Sequence, residues 1–375
     1  MFARNLLFLL LLLLPRHAWS QPLTYSARGY VSGLGGISVS RACSPTSPDV
    51  VLQHRHESVL QWGSDLRLHA DVRSRWLTGP SIAPYPEIGH TLTQDAGLTD
   101  LNLLWTHRRH HVVHSHIDRL HASYFGDPIE VHAGRQRINW GRTMVWNPND
   151  LFNPYAWLDF DYPERGGTDA LRVVLPWGYA GGMEAAMSRG RVPRETTAAV
   201  LLRTSFAPHE VQFLAGSYQR TPVLGAGWAG NVGGTALSGE ATVFFEDEPF
   251  LTATFGASYM TLRGVFATAE VLYNGAPRDL GSAVFAAPRP DRPFFSDTGL
   301  FLSASTQATP LLSLSMAVLT SATDNLRVWM PRATVSLSEN WDASLILQHV
   351  EGRLSAPIPN PTSVFVRIQR SYATR

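Results

Sequence analysis

The sequence predicts an all-β fold, a single antiparallel β-barrel that crosses a membrane with its strands. Three observations lead there. Apolar residues alternate with small or polar ones along segment after segment, charged residues make up only 16% of the chain, and no apolar run after the first twenty residues is long enough for a spanning helix. Soluble domains carry about 25% charged residues, so this chain has fewer charges than a fully hydrated surface needs.

Successive strand side chains point to opposite faces, so lipid on one face and water on the other appear as strict alternation. From Leu66 one face reads Leu66, Leu68, Ala70 and Val72, and the other Arg67, His69, Asp71 and Arg73. Four lumen-facing residues are assigned from this wall, namely Arg67, Asp71, Arg73 and, on a strand running to Tyr124, Arg119. Leu251, Ala253, Phe255, Ala257 and Tyr259 oppose Thr252, Thr254, Gly256 and Ser258. After a tight turn around Arg263, Val265, Ala267, Ala269, Val271 and Tyr273 oppose Gly264, Phe266, Thr268 and Glu270. Tyr259 and Tyr273 end their apolar faces where an aromatic girdle is expected. Weaker copies lie at 312–318, 343–347 and 364–369. A soluble sandwich also alternates, but its outer face is rich in Lys and Glu, whereas this polar face is mostly Ser, Thr, Gly and Gln.

The candidate strands number about 16, with about 14 to 18 left open. No linker divides the chain, so residues 21–375 read as one barrel domain. Long turn-rich stretches at 33–48, 78–97, 139–167 and 274–296 read as loops for the external end. Residues 1–20 read as a signal peptide, with Arg4 before an apolar run at 6–14 and Ala18-Trp19-Ser20 at the cleavage spacing. Export and a barrel together point to the cell outer membrane.

The formal charge of +1 and the lack of a basic stripe with interleaved aromatics set nucleic acid aside. All 31 basic residues are arginine. Either the lumen favours bidentate contacts to anions or the genome's base composition is biased, and the sequence leaves both open. The single cysteine, Cys43, excludes an intramolecular disulfide and paired-thiolate metal sites, and it reads as a solvated loop thiol.

The most distinctive segment runs from His132 to Pro154, HAGRQRINWGRTMVWNPNDLFNP. Its Gly134-Arg135-Gln136, Trp140-Gly141, Asn149-Asp150 and Phe152-Asn153-Pro154 resemble bacterial outer-membrane barrels of the broad porin type. That resemblance covers about 40 residues, implies a barrel and transport, and names no substrate. The residues also carry their own reading. Ile129, Val131 and Ala133 share a face, then the apolar parity switches to Ile138 and Trp140, so a bulge near Gly134 or departure from the lipid zone is required. Gly126-Asp127-Pro128 is a tight turn of the periplasmic kind, which places 139–167 at the external end.

Two readings of that loop stand side by side. In one it folds into the lumen, with Arg135, Arg137, Arg142 and Arg165 facing Asp150, Asp161 and Glu164 across a constriction that Gln136, Trp140, Trp146 and Asn153 help to shape. In the other it is a solvent-facing loop held by Asx turns and arginine–carboxylate pairs.

His114 and His116 share one strand face within the cluster His107 to His116, but no cysteine or spaced carboxylate completes a metal shell and Arg108-Arg109 repels cations. No metal, cofactor or catalytic residue is assigned, since no Gly-x-Ser-x-Gly elbow, His-Glu-x-x-His helix or phosphate loop is present. The expected function is passive passage of small hydrophilic solutes. Expected partners are outer-membrane lipid and lipopolysaccharide, the barrel-assembly machinery during biogenesis, and no nucleic acid, with homo-oligomerisation left open. A barrel-embedded hydrolase and a structural or adhesive surface barrel remain alternatives.

Overall fold

The computed structural model describes residues 22–39, 48–80, 82–95, 97–153, 164, 166–178, 180–276, 289–294, 296–321, 323, 325–352 and 361–374. The expected signal segment 1–20, Cys43, Asp161 and Arg165 lie outside the described residues. The first half of the wall is β1 (Leu23–Val39), β2 (Asp49–Trp62), β3 (Leu66–Thr78), β4 (Asn102–Arg108), β5 (His111–Phe125), β6 (Glu130–Gln136), β7 (Thr168–Trp177), β8 (Gly181–Ser188) and β9 (Thr197–Phe206). The second half is β10 (His209–Tyr218), β11 (Thr221–Val232), β12 (Thr235–Phe244), β13 (Phe250–Met260), β14 (Val265–Asn274), β15 (Thr298–Thr309), β16 (Leu312–Thr320), β17 (Arg327–Ser338), β18 (Trp341–Glu351) and β19 (Thr362–Ala373). A short helix, α1 (Ile88–Leu92), precedes β4.

Every ladder is antiparallel, and β1 pairs with both β2 and β19, closing the wall into an 18-strand barrel. That lies at the upper end of the expected range. Closure removes the exposed edges that an open sheet would leave unpaired. The seam is tied further where Thr374 donates its N–H to Ala27 O at 2.7 Å and Ala27 N–H reaches Thr374 Oγ1, also at 2.7 Å. Tyr372 is the outward aromatic of the last strand, while a Cβ on Gly36 would meet the inward Phe365 ring at 2.4 Å.

β4 is the nineteenth strand and does not add to the ring. It pairs with the upper part of β5, alongside β6, which pairs with the lower part. β6 is only seven residues long because the chain leaves the wall after Gln136, and β4 fills the vacated position. The turns at one end, 63–65, 126–129, 178–180, 207–208, 233–234, 261–264, 310–311 and 339–340, are all short, and the long connections gather at the other. This is the asymmetry expected of an outer-membrane barrel.

The outward columns form an apolar belt. Leu251, Phe255 and Tyr259 on β13 and Val271 and Tyr273 on β14 are all exposed, as are Leu302, Leu345, Val366 and Ile368 elsewhere around the wall. Tyr259 and Tyr273 sit at opposite ends of it. One stretch expected as loop is strand instead. Gly33 to Val39 continues β1 and pairs with β19 as far as Thr362. Its glycines read as turn signals in the sequence, yet they are ordinary ladder residues, which is a failure of a local rule against long-range pairing.

Candidate functional site

β6 keeps an uninterrupted register with β5 through Arg135 and with β7 through Gln136, so the parity switch after Gly134 records departure from the wall. Gly134 itself has φ +117, a value that L side chains rarely adopt. Ile138 and Trp140 then lie fully buried inside the barrel.

From there the segment 138–153 is fastened strand by strand to inward side chains of the wall. Trp140 Nε1 donates to Glu184 Oε2 on β8 at 3.0 Å, and Gln212 Nε2 on β10 donates to Trp140 O at 2.7 Å. Arg142 Nε donates to Gln212 Oε1 at 2.8 Å, and its Nη1 reaches Glu210 at 2.7 Å. Glu240 on β12 accepts from the Thr143 hydroxyl at 2.6 Å and from Asn147 Nδ2 at 3.0 Å. Glu270 on β14 accepts from three consecutive backbone groups, the N–H of Met144 (2.8 Å), Val145 (3.0 Å) and Trp146 (2.8 Å). A carboxylate facing three converging N–H groups is a strong, charge-assisted anchor.

The return leg is equally tied. Asn149 Nδ2 donates to Ala226 O at 3.0 Å and its Oδ1 accepts from Thr242 at 2.7 Å. Asn153 Oδ1 accepts the Ile138 N–H at 2.8 Å, pinning the two legs together, while its Nδ2 donates to Gly166 O. Wall glycines leave room for all this. A Cβ on Gly225 would meet Asn149 Oδ1 at 2.5 Å, and one on Gly299 would meet the Trp146 ring at 2.7 Å. Beneath the segment the inward columns turn apolar: Ile138, Trp140, Leu151 and Phe152 pack with Leu201, Leu214, Val223 and Phe244, and Val145 and Trp146 with Phe301, Leu319 and Val328.

The facing wall, β2, β3 and β5, is charged. Arg67, Asp71 and Arg73 share the inward column of β3 with Arg75. A register shift between Asp71 and Val72 against β5 brings Asp118 and Arg119 inward together. Arg55 on β2 lies at the centre of this cluster, 2.5 Å from Asp118, 2.9 Å from Asp71 and 3.1 Å from Glu57. Arg119 Nη1 is 3.4 Å from Asp71, and Arg67 stacks over Phe125 at 5.0 Å. Glu164 reaches this wall, with its carboxylate 3.9 Å from Arg55 and its carbonyl accepting from Arg119 Nη2.

Of the residues singled out in the sequence, Trp140, Arg142, Trp146, Asp150 and Asn153 are brought together in the anchored segment. Asp150 is fully buried there. Arg137 begins the segment, and no ion pair joins it to another described residue. Gln136 closes β6 by donating to His132 O and Ala170 O. Arg142 and Glu164 pair with the barrel wall, Arg142 with Glu210 and Glu164 with Arg55. Arg135 stands apart. Its guanidinium binds Asp95, Asp169, Ile117 O and Thr99 O, with every N–H engaged. It stitches the tops of β6 and β7 to the loop before β4. Burial alone would raise the Asp95 carboxyl, but the Arg135 hydrogen bond and the Leu101 and Gly97 N–H groups outweigh it and hold Asp95 below the usual carboxylate range. Arg135→Ala should therefore lower the unfolding midpoint in denaturant titrations by an amount worth about 3 kcal/mol, because two carboxylates lose their shared cation.

Sequence reasoning passed over Arg55, Asp95, Asp118, Glu184, Glu240 and Glu270. Glu240 between Ser238 and Thr242, and Glu270 after Thr268, are each a lone carboxylate on an inward column, which marks an inward position but not what it binds. On β5, His114 and His116 share the inward face, and His116 bonds Asn102 and lies 3.3 Å from Asp118. Among the described residues no group of three or more ligating side chains could hold a metal.

The same architecture occurs in solved barrels. OccK5 (OpdH) of Pseudomonas aeruginosa superposes with a TM-score of 0.60 at 9% identity, covering 94% of this chain and 98% of that one. OccAB4 of Acinetobacter baumannii gives 0.57 at 9%, covering 95% and 99%. The chain shares their fold. No family model and no curated protein sequence matches it.

Proposed function

We propose that the protein is an outer-membrane channel through which small hydrophilic solutes pass by diffusion, with the segment 138–153 as its constriction. The observation that carries this reading is the anchoring of that segment to Glu184, Gln212, Glu240 and Glu270 across one half of the barrel interior, which confines any path to the side lined by Arg67, Arg73, Arg75 and Arg119. Among the described residues of this side, these four arginines and Arg55 make five inward cations against four acids, Glu57, Asp71, Asp118 and Glu164, with which they share ion pairs. A surplus of fixed positive charge in a narrow low-dielectric passage draws anions in and repels cations. The sequence resemblance to porin-type barrels agrees with this reading.

Planar-bilayer recording of the purified protein tests it. Stepwise conductance is expected, with a reversal potential in a potassium chloride gradient that favours chloride, and Arg67→Glu with Arg119→Glu should move that potential toward the cation side. Membranes whose conductance does not change when the protein inserts would remove the transport reading.

A further inference from the structure

The hairpin of β5 and β6 sets a hydroxyl, an imidazole and a carboxylate side by side on the inward face, near the barrel end that carries the short turns. Ser123 on β5 and His132 on β6 are ladder partners, and Glu130 is the next inward position on β6. Ser123 Oγ and His132 Nδ1 are 2.7 Å apart, and His132 Nε2 lies 3.6 Å from Glu130 Oε2. The carboxylate favours the tautomer that carries its proton on Nε2, which leaves Nδ1 to accept from the Ser123 hydroxyl. Phe125 packs edge-on against the imidazole, 5.7 Å between centroids at 82°, and holds its plane. A base within hydrogen-bond reach of a hydroxyl and oriented by a third group is the arrangement that activates a serine. No catalytic motif marks these residues in the sequence, because strand pairing and not a local run brings the serine to its base.

The other flank of the serine supplies a donor. Arg67 on β3 is the ladder partner of Ser123 on that side. Its guanidinium is held over the Phe125 ring at 5.0 Å, yet its Nε–H is buried with no acceptor. An unused, fixed N–H beside a nucleophile is what a developing oxyanion requires. Ser123 is only 3% exposed, so its hydroxyl is shielded from bulk water. Further cations flank the group: Arg172 on β7 is the ladder partner of His132, and Arg119 lies two inward positions from Ser123 along β5.

We infer that Ser123, His132 and Glu130 form a hydrolytic site for small esters that carry a negative charge. Ser123 Oγ bonds to the ester carbonyl carbon while its proton passes to His132 Nδ1, and the carbonyl electron pair moves onto the oxygen, which accepts from Arg67 Nε–H. Collapse of that intermediate breaks the bond to the alcohol oxygen, and the alcohol leaves with the proton from His132. Water then attacks the acyl carbon and gives its proton to Nδ1, the bond to Ser123 Oγ breaks, Ser123 recovers its proton, and the carboxylic acid departs. The sum is ester plus water giving acid plus alcohol. Glu130 is a positioning residue, holding Nε2–H and stabilising the imidazolium formed in each half. The surrounding arginines select the anionic substrate.

The test uses the purified barrel in lipid vesicles with two probes, diisopropyl fluorophosphate and the anionic ester 4-acetoxybenzoate. Peptide mapping should find one diisopropylphosphoryl group on Ser123, absent from Ser123→Ala and His132→Gln. Hydrolysis of 4-acetoxybenzoate should fall to the rate of empty vesicles in Ser123→Ala and by about 100-fold or more in His132→Gln. Glu130→Gln should lower kcat by about tenfold or more with KM unchanged, which a merely structural carboxylate would not do. Ser123→Ala should keep the heat-resistant barrel band on gels and the parent conductance, so that loss of hydrolysis is not loss of folding. The inference is overturned if the wild-type barrel takes no label and hydrolyses no faster than empty vesicles, or if Ser123→Ala keeps either reaction. Equal kcat/KM for uncharged phenyl acetate would overturn the assigned substrate class. A barrel that hydrolyses the ester but never conducts would instead overturn the channel reading.

Discussion

Glu270→Ala is expected to leave the barrel assembled while raising single-channel conductance several-fold and making it fluctuate. The carboxylate receives three consecutive N–H groups of the segment at 2.8, 3.0 and 2.8 Å, and hydrogen bonds to a charged acceptor contribute about 1.5–3 kcal/mol each. Alanine leaves those three groups buried without an acceptor, so the segment's far turn is better solvated by swinging into the lumen than by staying in place. Nothing in the wall ladders of β14 is altered, because they use backbone groups. Glu270→Gln should fall between, since an amide keeps the volume but offers one acceptor oxygen and turns an NH2 toward the donors. Gly299→Leu approaches the same outcome by a different route, because its Cβ would already meet the Trp146 ring at 2.7 Å. Limited proteolysis between 139 and 150 gives a readout independent of conductance. A Glu270→Ala chain that resists cleavage and conducts like the parent shows that the carboxylate is not what holds the segment.

The wall was legible in the sequence because its cause is local and periodic. Lipid touches every second residue, so Leu251 to Tyr259 and Val265 to Tyr273 announce two strands and the turn between them without reference to anything distant. The same rule misled where the lipid signal was diluted. Gly33, Gly35 and Gly36 carry no apolar side chain, and it is their pairing with β2 on one side and with β19, about 330 residues away, on the other that shows they belong to a strand.

The interior was less legible, for a different physical reason. Under the anchored segment the inward columns become apolar, as with Leu214, Val223, Phe244 and Leu319, because they face protein instead of water. This blurs the alternation there. The segment itself could be recognised as unusual from its tryptophans and Asn/Asp/Pro signals. Its partners could not, since Glu184, Gln212, Glu240 and Glu270 are fixed by which strands curve round to meet it. Arginine–carboxylate pairing within the loop was the natural expectation from proximity in sequence, yet Arg135, Arg142 and Glu164 each pair across the fold. Likewise, the bulge that turns both Asp118 and Arg119 inward breaks the parity that would have assigned one of them to lipid.

Arg55→Met should produce the largest loss of stability of any single change in the barrel wall. The guanidinium is 1% exposed and is held by Asp118 and Asp71, both fully buried, and by Glu57. Removing one member of a buried ionic cluster costs about 3–5 kcal/mol, because the charges left behind stay desolvated without their partner. The loss should concentrate on Asp118. Glu57 keeps Arg28 at 2.6 Å, and Asp71 keeps His69 at 2.6 Å and Arg119 at 3.4 Å, whereas Asp118 retains only His116 at 3.3 Å and Arg73 at 3.9 Å among described residues. A second change therefore separates an ionic cause from a packing one. Asp118→Leu added to Arg55→Met should recover a substantial part of the folding free energy measured by urea titration in lipid vesicles, since an apolar pair of similar volume replaces a buried ion pair at little cost. If the double variant is no more stable than Arg55→Met alone, the wall at β2 and β5 is held by shape at this point, and the charges are there for what passes through the lumen.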